Sequence, residues 1–119
     1  SIKLLGHIDR PEKYYKKADC FIMASDHEAF GRTTIEAVVY NCFVIANSKG
    51  ATSELLENNR EALFFDDRID DLSNKMLHFT NMNASDIKQM KLNALNKVKS
   101  QFTKSIMIDN FENSLRNII

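Results

Sequence analysis

Residues 19–40 read DCFIMASDHEAFGRTTIEAVVY, and the fold turns on how this stretch divides. Its first part, 19–25, is a short apolar run of the kind found in strands buried on both faces. From 33 to 40 the pattern changes, and Ile35, Val38 and Val39 gather on one helical face. Gly31 sits where the strand-to-helix turn must tighten, because glycine enters the left-handed region without steric penalty. The same alternation recurs along the chain. Strands are expected at 2–5, 20–24, 43–46 and 62–65 with helical patterns between them, which predicts an α/β fold with a parallel sheet of about four strands.

Local signals extend this reading. Asp9 is placed to cap the first helix, Pro11 suits its first turn, and Glu12 completes a capping-box pattern with Asp9. Tyr14, Tyr15 and Ala18 then face the sheet as core. Beyond residue 65, Leu72, Met76 and Phe79, then Ile87, Met90, Ala94 and Val98, then Ile108, Phe111, Leu115 and Ile118 recur at helical spacing. Three helices are therefore expected after the last strand.

Within the central stretch, Glu28 and Glu36 stand with seven residues between them and straddle the strand-to-helix junction. The amides of a first helical turn carry roughly half an elementary positive charge and attract phosphate. Glu36 lies about one turn further on, roughly 6 Å along the axis, so one carboxylate stands on each side of the amide cluster. A sugar nucleotide has the matching order of groups: hydroxyl-rich sugar, diphosphate, then a ribose diol. Carboxylates accept hydrogen bonds from diols, each contributing roughly 1.5 to 3 kcal/mol. Glu28 is assigned to the sugar end and Glu36 to the ribose end. Taken as an isolated spacing, the alternative is a solvated helix residue and a loop residue, since such pairs arise by chance.

A series of linked motifs supplies the context. LLGHI, YYKKADCFIMAS, EAFGRTTIEAV, NCFVIANSKGATSELL and NNREALFFD occur in that order. They resemble successive segments of the C-terminal, Rossmann-like donor domain of retaining GT-B glycosyltransferases, above all the large family four, whose E-x7-E signature matches Glu28 and Glu36. The resemblance runs from Ile2 to about Phe102. It implies a partial doubly wound parallel sheet with C-terminal helices, and transfer from a nucleotide-diphosphate sugar with retention and without a required metal or other cofactor. Glu28 is then the catalytic-site acid at the sugar. Phe30, Gly31, Arg32 and Thr33 are candidates for phosphate contact, with Glu36 and Gly50 completing the donor-binding set. Arg32 departs from the usual apolar residue and either adds phosphate affinity or projects into solvent; His27 is a loop residue with the donor sugar as its alternative partner. Asn41 replaces a glycine, Phe43 a proline, Ala51 the second glycine of a "GG" loop, and Ala62 another glycine. Asn41 retains access to the left-handed region, Ala51 adds a methyl where the backbone approaches the ligand in typical members, and Ala62 reads as a packing change.

At 119 residues the chain suffices for one domain. By the resemblance, residues 1–119 form the second half of the donor domain, without the acceptor domain that would bind a sugar, lipid or protein, and the fragment alone is expected to be inactive. In the sheet order 3-2-1-4-5-6 the strand at 2–5 has no native neighbour, so it pairs at a free edge, pairs with a second copy, or is poorly ordered. The last helix either covers the sheet or exposes its apolar face.

Sixteen basic and sixteen acidic residues cancel, which removes a bulk electrostatic case for nucleic acid. Lys88, Lys91, Lys97, Lys99 and Lys104 form a basic stretch, a solvated face whose secondary role is peripheral contact with anionic lipid. No apolar run reaches membrane-spanning length, and no signal peptide is visible. Cys20 and Cys42 read as small buried hydrophobes in a reducing, cytoplasmic setting. His7, His27 and His78 are too scattered for a metal set. The competing reading from another class is a noncatalytic nucleotide-binding or interaction domain of the same ancestry; a third is a GT-B epimerase or phosphorylase.

Overall fold

The computed structural model describes residues 1–26 and 31–102. Its centre is a parallel sheet of β1 (Cys20–Met23), β2 (Phe43–Asn47) and β3 (Leu63–Phe65), in that spatial order. Cys20 lies beside Phe43 and Met23 beside Ala46, while Ile45 lies beside Leu63 and Asn47 beside Phe65. Helices α1 (Glu12–Lys17), α2 (Arg32–Val39), α3 (Thr52–Leu55), α4 (Ile69–Asn81) and α5 (Ala84–Phe102) surround it.

All five residues of β2 are buried, as its unbroken apolar run requires. Side chains alternate across a strand, so Val44 and Ala46 pack with Ile35, Val38, Leu56, Ala62, Ala94 and Val98 on one face. Phe43 and Ile45 pack with Leu63, Phe65 and Met90 on the other. Phe43 lies 4.7 Å from Phe79, ring centre to ring centre. Its N–H donates to the Asp19 carbonyl at 3.1 Å, a bond that the proline usual in the family cannot make. Ala62 is wholly enclosed in the first cluster, in keeping with a packing role.

Several expectations are corrected. Residues 2–5 form no ladder with the three strands, and Ile2 and Leu4 are 93% and 97% exposed. A strand needs a neighbour for its amides, and no described segment supplies one. Among the described residues the sheet accordingly has three strands, not about four, and β1 is only half-buried because none of them forms a strand on its outer edge. The capping box does not form: α1 starts after Pro11, whose carbonyl accepts from the amides of Tyr14 and Tyr15, while Asp9 accepts from His7 Nε2. Tyr15 is buried, whereas Tyr14 and Ala18 are exposed, because so short a helix turns only a narrow stripe inward. Val39 and Met76 are likewise exposed, since each lies off the stripe that meets the sheet. Of the three C-terminal helices, α4 and α5 are present, and the expected third lies outside the described residues.

Both ends of α2 depend on left-handed residues. Gly31 is its N-cap at φ 62°, and a Cβ there would stand 2.6 Å from Leu55 Cδ1. At the other end Asn41 takes φ 67°. The Cys42 amide donates to the Ala37 carbonyl at 2.9 Å and the Asn41 amide to Val38 at 3.0 Å, the paired bonds of a Schellman end.

Two substitutions test these corners. Gly31→Ala is expected to lower the unfolding free energy by about 1–2 kcal/mol in urea titration, from left-handed strain plus displacement of Leu55. Asn41→Gly is expected to raise it by about 0.5–1 kcal/mol, since glycine holds the same backbone without strain.

Candidate functional site

At the carboxyl ends of the strands two loop-to-helix corners abut. The first leads from β1 into α2 through Gly31, and the second leads from β2 into α3 through residues 48–51. They touch directly: a Cβ on Gly31 would lie 3.8 Å from that of Ala51. The buried hydroxyls of Thr34 and Thr52 share a hydrogen bond of 2.9 Å and lock the starts of α2 and α3 together. Ligands of open α/β sheets bind at this end of the sheet.

Among the expected site residues, Gly31 forms the left-handed corner, and as glycine it offers no side-chain oxygen to the first-turn amides. Arg32 and Thr33 are exposed at the start of α2. Gly50 is buried, with its backbone engaged inside the loop. Its amide donates to the Asn47 carbonyl at 3.2 Å, and its carbonyl accepts from the Ser53 amide and from Ser53 Oγ at 2.8 Å. The Gly50 amide is therefore engaged within the loop. His27, Glu28 and Phe30 lie outside the described residues, and so does the mutual geometry of the two glutamates.

Glu36 is half-buried on α2 and accepts a hydrogen bond from Tyr15 Oη at 3.3 Å on Oε2. Burial pushes its carboxyl above the usual carboxylate range; the Tyr15 bond and the Arg32 guanidinium pull it partly back, and the Glu12 charge pushes it up again. Glu36 is thus not the freely solvated helix residue of the alternative reading.

Three contributors escaped the sequence reading. Tyr15 was expected as core alone, yet its hydroxyl reaches Glu36. Asn47, buried at the end of β2, donates through Nδ2 to Ala24 O and Asp67 Oδ1, both at 3.3 Å, and accepts from the Lys49 amide at 2.9 Å. Its signal was a polar residue ending an apolar run, directly before Ser-Lys-Gly. The Thr34–Thr52 pair left no local signal, because the two lie 18 residues apart.

Elsewhere, Cys42 is buried and its thiol donates to the Tyr15 carbonyl at 3.2 Å, while the half-buried Cys20 thiol is pushed up to about 12, first by burial and then by Cys42 and Asp19. Lys97 pairs with the buried Glu61 at 3.7 Å, which commits one member of the basic stretch to the fold. Among the described residues no three His, Cys, Asp or Glu side chains converge on a metal-sized point, and no helix is long and apolar enough to cross a membrane.

Comparison with known proteins fits this architecture. The sequence matches the family described as "Glycosyl transferases group 1" over residues 1–98. No curated protein is similar enough in sequence to count as a match. Among solved structures, a glycosyltransferase from Rickettsia africae is similar at a TM-score of 0.78 and 25% identity, over 98% of this chain and 31% of that one. Anabaena Alr3699/HepE, in complex with UDP and glucose, gives 0.70 and 21%, over 91% and 30%. The C-terminal domain of the group 1 family protein LpcC from Francisella tularensis gives 0.69 and 20%, over 85% and 52%. The chain therefore spans about half or less of each of these structures. Its three parallel strands and flanking helices have the Rossmann-like form of GT-B C-terminal domains, and with residues 1–98 inside the family pattern this chain belongs to the group 1 glycosyltransferases.

Proposed function

We propose that this chain is the donor side of a retaining, family four-like glycosyltransferase and holds a nucleotide-diphosphate sugar between the Gly31 and Gly50 corners. Glu36 takes the ribose diol, and the first turn of α2, with Phe30, Arg32 and Thr33, takes the diphosphate. Glu28 takes the sugar hydroxyls as the second acid of the E-x7-E pair. The observation that carries the reading is the position of Glu36, half-buried about one turn into the helix that a left-handed N-cap starts after β1 of a parallel sheet. A structural neighbour that holds UDP and glucose supports the class of ligand.

Cleavage of the bond between the anomeric carbon and the diphosphate builds negative charge on the leaving group. In this reading the amides of the first turn of α2 and the Arg32 guanidinium meet that charge, and prepositioned dipoles lower a barrier without reorganising. The charge of the leaving group is met by the protein's own groups, so no metal is assigned to the reaction. The proposed setting is cytoplasmic, with glycoconjugate or polysaccharide synthesis as the role. Peripheral contact with anionic lipid falls to the basic stretch of Lys88, Lys91, Lys99 and Lys104, in which Lys97 is held by Glu61, and the exposed segment 2–5 is the candidate for contact between copies.

The test is donor binding by the complete gene product. Glu36→Ala is expected to weaken nucleoside diphosphate binding by about 10- to 100-fold, the loss of one charge-assisted hydrogen bond. Unchanged affinity in calorimetry removes the ribose assignment. The pH dependence has a definite sign: the acceptor is the carboxylate, whose protonation range is raised. Affinity is expected to fall as pH drops, starting above the pH at which an ordinary glutamate, near about 4.3, would lose its charge.

A further inference from the structure

We infer that Tyr15 is a positioning residue for nucleotide recognition: its phenol holds Oε2 of Glu36 and leaves Oε1 as the acceptor for the ribose diol. This rests on the ribose assignment of Glu36 and adds to it a residue on a different helix, 21 positions away in sequence.

The geometry of Tyr15 is that of a fixed strut. The residue is only 8% exposed and sits in a cluster with Ala37 and Cys42, against Phe21 and Tyr40. Its ring meets Phe21 of β1 edge-on at 5.8 Å and 60°, and stacks on Tyr40 beyond the end of α2 at 5.8 Å and 14°. Its backbone is held as well, since the Cys42 thiol donates to its carbonyl. With ring and backbone both fixed, the remaining freedom is rotation of the hydroxyl, and that hydroxyl lies 3.3 Å from Glu36 Oε2.

Glutamate has three side-chain torsions, and a free one must be ordered when ligand binds, at a cost in affinity. A phenol that holds one oxygen beforehand removes part of that cost. The phenol stays a donor because burial, followed by the Glu36 charge and the hydrogen bond itself, pushes its titration upward. Of the groups around Glu36, the Tyr15 bond and Arg32 favour the ionised carboxylate and Glu12 opposes it. Loss of the phenol therefore does two things: it frees the carboxylate and makes it easier to protonate.

Tyr15→Phe keeps the ring and deletes the donor. Binding of uridine, guanosine and adenosine diphosphates to the complete gene product is measured by calorimetry, each beside its 2′,3′-dideoxy counterpart. The expected result is that Tyr15→Phe weakens the preferred diphosphate by about three- to tenfold and leaves the dideoxy compound unchanged. In a carbon-13 titration of the glutamate carboxyls, the same variant moves Glu36 to higher pH. If Glu36→Ala abolishes preference for the hydroxylated ligand while Tyr15→Phe retains it in full, the positioning role falls and the ribose assignment stands. If Glu36→Ala discriminates as the unaltered protein does, or no diphosphate binds, the ribose assignment falls and takes this inference with it. Equal weakening of both ligands, with the Glu36 titration unmoved, shows a purely structural tyrosine and overturns the inference.

Discussion

Complete burial of β2 is the constraint from which the rest of the structure follows. Both faces of this strand are apolar, so each needs a cover. Residues of α2 and α5 meet Val44 and Ala46, while α4 and the earlier part of α5 meet Phe43 and Ile45. Alternation along five residues thus decides that helices lie on opposite faces of the sheet. The parallel run of β1 and β2 puts the two loop corners that follow them at the same end of the sheet.

Precision at that end comes from a few polar contacts between elements. Thr34 and Thr52 join two helix starts through one buried hydrogen bond. Asn47 joins the ends of β1, β2 and the loop after β3, with both donor positions and its oxygen engaged. A buried amide left unpaired would cost roughly 1–3 kcal/mol, so full pairing matters as much for stability as for position. At the opposite end of the sheet Glu61 plays a comparable part, accepting from the Glu57 amide and facing Lys97. These contacts hold the loops to the sheet while apolar packing holds the sheet itself.

Glu36 shows how fold and chemistry meet. It occupies a helix whose start is set by Gly31 and whose end is set by Asn41. Ile35 and Val38 on the same helix are core residues, which fixes the rotation of α2 and places Glu36 at the boundary between core and solvent. Tyr15 reaches it there from α1. The raised titration of the carboxyl follows from that boundary position, because burial penalises charge more than one hydrogen bond and Arg32 restore it.

How much was legible in the chain depends on the range of the interaction. The strands after residue 19, the glycine corner and the left-handed Asn41 end are encoded by neighbouring residues, through unbroken apolar runs and restricted backbone angles, and they were readable directly. The strand expected at 2–5 was not settled by its own pattern, since pairing requires a partner that local sequence does not specify. The same holds for the cap expected at Asp9, where His7 and the Pro11 carbonyl took the alternatives. By itself the sequence determined an α/β chain of the group 1 glycosyltransferases, with its acidic pair and glycine corner. Only the tertiary structure decided that Tyr15 holds Glu36 and that Thr34 meets Thr52, because such contacts join residues distant in sequence whose approach depends on how helices rotate and pack against β2.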